Sequence, residues 1–139
     1  MLARLTVAFL FVSVVLSTGH AAEPKSLTCK FANGVTQVYN KGRFTSANAA
    51  PLAFGIASID QAAQTADLKT EAGTGSLRLV QAVNATHFLE VAIEGALFIT
   101  TVFDKDDAKG AYPAVHSRHF ALLGQPIVTY YQGFCEETP

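Results

Sequence analysis

Short stretches in which apolar and polar residues alternate, cut by turn signals every 8 to 12 residues or so, run through this chain from residue 26 to its end. Alternation with period two places successive side chains on opposite faces of a strand, so it specifies half-buried antiparallel β-structure. Leu27, Cys29 and Phe31 share one face against Ser26, Thr28 and Lys30. Ala66, Leu68 and Thr70 oppose Thr65, Asp67, Lys69 and Glu71, and Leu89, Val91 and Ile93 oppose Glu90 and Glu94. Turn residues separate the runs at Asn33-Gly34, Asn40-Lys41-Gly42, Gly73-Thr74-Gly75, Gly95 and Asp106 to Gly110. Further strands are expected over Arg43 to Ser46, Leu52 to Ser58, Leu77 to Val83, Leu97 to Phe103, Val115 to Leu122 and Ile127 to Phe134. The Ala-rich segment Ile59 to Ala72 also fits a helix, with Asp60 as N-cap and Gly73 just beyond its end.

The N-terminus has a different character. A cationic start ending at Arg4, an apolar stretch from Leu5 to Leu16 and small residues up to Ala21 and Ala22 match an export signal over residues 1–22. The apolar stretch falls short of the roughly 20 residues of a spanning helix, so cleavage is expected rather than anchoring. The expected product is one β-rich domain, residues 23–139, exported to a periplasm or secreted, with no transmembrane segment in the mature chain. Losing Arg4 takes the charge from 10 − 11 = −1 to 9 − 11 = −2. The remaining cations are scattered, which excludes nucleic acid as the expected partner.

The chain has two cysteines, Cys29 and Cys135, at opposite ends of the expected domain. In an exported protein an even count without a Cys-x-x-Cys pair points to a structural disulfide. Such a bond stabilises by about 4 to 5 kcal/mol in the chain-entropy description of a loop this long. It would also make the first and last strands neighbours, as in a sheet that closes on itself. The expected fold is therefore all-β, an antiparallel meander closing into a small barrel, with a two-layer β-sandwich as the alternative. Gly95 to Phe103 is apolar on both faces, Phe98 and Val102 on one and Leu97, Ile99 and Phe103 on the other, which suggests cover from both sides.

No pattern names a reaction, and no cofactor or metal is expected. His116 and His119 are an odd number apart, so a regular strand points them to opposite faces and away from a shared ion. The acidic turn from Asp104 to Gly110 lacks the third ligand, the glycine and the closing glutamate of a calcium loop. Ser117 lies beside His116 without a nucleophile elbow.

The segments His87-Phe88-Leu89-Glu90, Thr100 to Asp106, and Tyr112 to Phe120 through Gly124-Gln125-Pro126 resemble small exported proteins of Gram-negative bacteria that have no assigned function. The resemblance covers residues 80 to 135. It implies a periplasmic or secreted setting and carries no catalytic residue across.

Two functional classes follow. A binding module would hold an apolar or amphipathic small molecule in the barrel, lined by Phe54, His87, Leu89, Val91 and Phe98, with His87 projecting toward the apolar side. A structural or interaction protein of the cell envelope would use His116, Arg118, His119, Tyr130 and Tyr131 as its contact surface. An enzyme, the third reading, requires His116 or His119 to meet His87 or a carboxylate in a cleft.

Overall fold

The computed structural model describes residues 23–92 and 95–139. The expected signal peptide and two residues of the alternating run, Ile93 and Glu94, lie outside the described residues. Nine antiparallel strands follow one another: β1 (Leu27–Asn40), β2 (Arg43–Ala49), β3 (Leu52–Asp60), β4 (Thr65–Thr70), β5 (Gly73–Ala82), β6 (Ala85–Val91), β7 (Leu97–Phe103), β8 (Tyr112–Leu122) and β9 (Gln125–Glu137). Strands β3 to β9 pair in chain order, and β1 pairs with both β3 and β9. An eight-stranded barrel results, with β2 as an extra strand. That pairing of first and last strands decides against the two-layer sandwich.

Cys29 and Cys135 lie directly opposite each other in the β1/β9 ladder and form a disulfide across 106 positions. Both are fully buried, beside Phe31, Ile56, Leu79 and Phe88 in the core. The segment read as a possible helix is instead the end of β3, a turn and β4. Asp60 caps that turn by accepting a hydrogen bond from the Ala63 N–H.

Asn33-Gly34, expected to end the first strand, lies inside a 14-residue strand. The ladder with β9 shifts between Lys30 and Asn33, so β1 bulges there and continues. Glycine serves close approach here and not reversal: a Cβ on Gly34 would run into the Tyr131 ring, and one on Gly133 into the Lys30 carbonyl. The register that pairs Phe31 with Leu52 also pairs Gly34 with Ala49, so β2 and β3 oppose β1 as one strand interrupted at Ala50-Pro51. Pro51 has no N–H to donate at that point.

Beyond the bulge the later half of β1 and the earlier half of β9 continue the sheet with β2 and the end of β8. They form a flap ordered β2, β1, β9, β8. Every residue of β2 except Ala49 is exposed. At the other end of the barrel, the Asp106 carboxylate accepts hydrogen bonds from the Ala108 and Lys109 N–H groups. The acidic segment is thus a closed turn between β7 and β8.

Candidate functional site

Which side chains line the barrel follows from register. One inward row crosses the strands as Leu79, Phe88, Thr100, His116 and Tyr131. The next row toward one end is Glu90, Phe98, Arg118 and Thr129. Phe54 and Leu68 complete the wall from β3 and β4.

This row assignment reverses the parity expected for β6. Phe88 and Glu90 point inward; His87, Leu89 and Val91 point outward, and Val91 is 74% exposed. His87 hydrogen-bonds the Thr101 hydroxyl on the outer surface, at 2.9 Å. The reason is physical: β6 carries apolar residues on both faces, and Glu90 tips a sequence argument outward. An inward Glu90 is tolerated because it stands at the open end, where water reaches it. A one-residue difference in register exchanges every side chain between the two faces.

That open end is a mouth with a cavity of about 590 Å³, lined by Phe54, Leu68, Leu77, Phe88 and Phe98 with Glu90, Thr100, His116 and Arg118. Of the residues anticipated for a ligand, Phe54 and Phe98 are here. Leu68, Leu77 and Phe88 join them, and for Leu68 and Leu77 the alternation with polar neighbours is visible in β4 and β5.

The expected contact surface divides in the same way. His116 and Tyr131 are buried and Arg118 half-buried, all facing inward, so His116 and Tyr131 are unavailable to a surface partner. His119 and Tyr130 pack edge to face on the outer surface, with Tyr130 half exposed. The His119 ring also meets the Ser117 hydroxyl at 3.0 Å, a strand-face pair two residues apart. The three histidines His87, His116 and His119 therefore make separate contacts and do not converge on one cleft.

Around His116 the hydrogen bonds form a relay. Arg118 donates from Nε to His116 Nε2 at 3.2 Å, so that ring nitrogen is the acceptor. Nδ1 therefore carries the proton and donates to the Thr100 hydroxyl at 2.9 Å. The ring sits among Phe31, Phe54, Phe98 and Tyr131. Burial, with the Arg118 charge second, lowers its pKa from 6.5 to about 4, so it is neutral at physiological pH.

Arg118 is held on three sides, by the His116 bond and by the rings of Phe98 and Tyr131, whose centroids lie 5.5 and 5.6 Å from its guanidinium carbon. Only its Nε is used in this relay, and the side chain lines the mouth. The ion pairs among the described residues are Lys69 with Asp67 and Lys105 with Glu137. Arg118 is in neither. Glu90 faces the same mouth with Phe98 between them, two strand spacings or roughly 10 Å away along the sheet.

No family model matches the chain, and no curated protein or solved structure is similar enough to it to show kinship. No described helix is long and apolar enough to cross a membrane.

Proposed function

We propose that this barrel is a non-catalytic binding module for an amphipathic small molecule with an anionic end. The carrying observation is Arg118: an oriented guanidinium without a carboxylate partner among the described residues, set in a mouth of apolar side chains. The cavity volume falls in the range of small-molecule sites, which are mostly apolar with a few placed polar groups. The apolar body of the ligand would rest on Phe54, Leu68, Leu77, Phe88 and Phe98. Its carboxylate, sulfate or phosphate would take two parallel hydrogen bonds from the terminal nitrogens of Arg118.

His116 is a positioning residue in this reading. Neutral and acceptor-only at Nε2, it aims the guanidinium without competing for the anion. Glu90 offers an acceptor to a hydroxyl or ammonium on the same molecule. Export to a periplasm or beyond belongs to the same proposal, supported by the N-terminal signal pattern and by a buried disulfide of the kind that persists outside the cytosol.

The test compares dodecanoate with dodecanol in displacing anilinonaphthalene sulfonate, a fluorescent amphipathic anion. Dodecanoate is expected to bind the wild-type protein and to lose roughly tenfold or more in Arg118→Met, the scale of one charge-assisted hydrogen bond, with dodecanol unaffected. Absence of any displaceable binding by the folded protein would refute the reading.

A further inference from the structure

The flap carries a separate signal at its tip. Val38 pairs with Ile127, so the turn joining β1 to β2 and the turn joining β8 to β9 lie side by side. Each is a two-residue turn with positive φ at both positions: 49° and 83° at Lys41 and Gly42, and 50° and 80° at Leu123 and Gly124. Asparagine, aspartate or glycine normally occupies the first of these positions. A leucine there is strained, and Leu123 is 98% exposed, so no packing among the described residues offsets the strain.

Its neighbours are of the same kind. Leu122 is 59% and Phe44 56% exposed. Tyr39 and Phe44 pack together on one face of the flap, while Phe120 and Leu122 extend the other. Charge is equally one-sided: residues 34–49 and 113–129 contain Lys41, Arg43 and Arg118 and no aspartate or glutamate, in a chain with 11 acidic residues against 10 basic.

We infer that the paired tips dock on an anionic lipid bilayer surface, with Leu122, Leu123 and Phe44 entering the interfacial region and Lys41 and Arg43 on the headgroup phosphates. Apolar side chains on both faces of a narrow tip suit a fluid that surrounds it, whereas a folded protein partner would cover one face. Paired cations beside the apolar residues select acidic headgroups. The peptide groups on the open edge of β2 stay in the hydrated headgroup layer, where water satisfies them.

Sedimentation of the purified, disulfide-bonded protein with vesicles of phosphatidylglycerol and phosphatidylcholine, against pure phosphatidylcholine, tests this. Binding to the acidic vesicles is expected, falling with added salt. The double variant Leu122→Ser/Leu123→Asn should bind at least roughly tenfold more weakly, on the scale of two exposed leucines withdrawn from the interface. Its melting temperature should stay the same or rise, because Asn suits a positive φ. Lys41→Glu/Arg43→Glu should abolish the preference for acidic vesicles. Equal sedimentation of wild type and variants, or no sedimentation of wild type, would overturn the inference. So would a concentration-dependent dimer that Leu123→Asn dissolves, which would assign the tips to a second copy of the chain.

Discussion

The two ends of the barrel treat a cation differently. At the end where β1 begins and β9 finishes, Lys105 lies 2.9 Å from Glu137, which also accepts a 2.7 Å hydrogen bond from the Tyr112 hydroxyl. Lys105 further sits over the Tyr112 ring. At the mouth, Arg118 is bonded to a neutral ring and stacked on aromatic faces, with no carboxylate against it among the described residues. A charge already paired within the chain has little left to offer a ligand. One held in place and left unpaired is set up for an anion brought from outside, and that difference separates a closing contact from a candidate site.

The comparison breaks most severely if the interior between the ends is not packed. Phe88, 2% exposed, stands between them, and Phe88→Ala is expected to cost about 3 to 5 kcal/mol in urea unfolding. A loss below about 1 kcal/mol would mean a loose interior with no separate ends. Next in size is the seam. Replacing both Cys29 and Cys135 by Ala should lower stability by about 2 to 4 kcal/mol with the β-sheet circular dichroism retained. An unchanged midpoint would show that the ladder between β1 and β9 closes the barrel without help.

Acid sharpens the mouth side. Between pH 4 and 6.5 the unfolded chain takes up a proton at His116 that the folded chain does not. Stability contributed by the neutral ring is therefore complete above 6.5 and is lost as pH falls toward 4. That loss approaches, at most, on the order of 3 kcal/mol, and it should be reduced in His116→Gln. A His116 ring titrating near 6.5 by NMR would contradict its burial and the relay to Arg118.

The smallest effect belongs to the paired end. Burial, then the hydrogen bond to Glu137 and that residue's charge, raises the Tyr112 pKa from 10.0 to about 12. Its ultraviolet difference titration should move partway back toward 10.0 in Glu137→Gln. Lys105→Met should leave the unfolding midpoint unchanged, since the pair is solvent-exposed.

Much of the barrel was legible because it rests on local chemistry. Turn residues at Asn40-Lys41-Gly42 and from Asp106 to Gly110 do end strands, and the cysteines at 29 and 135 do join the first to the last. The site was half legible. Phe54 and Phe98 line the mouth, but His87, Leu89 and Val91 face away from it, while Phe88 and Glu90, on the opposite face from the expected one, point into it. Both errors are one choice of parity in a strand with apolar residues on either side. Gly34 was misread for a similar reason: Asn-Gly marks a turn by local preference, but here the glycine makes room for the ring of Tyr131, which is 97 residues away in the chain.

Period-two patterning, turn residues and two distant cysteines by themselves determined an antiparallel β-chain whose ends meet, because each acts through neighbouring backbone geometry or one covalent bond. Which face of β6 lines the interior, and that Arg118 stands in an apolar mouth beside a neutral His116, were decided by the tertiary structure. Those facts depend on the register between strands far apart in sequence, and register is set by the packing of the whole closed sheet.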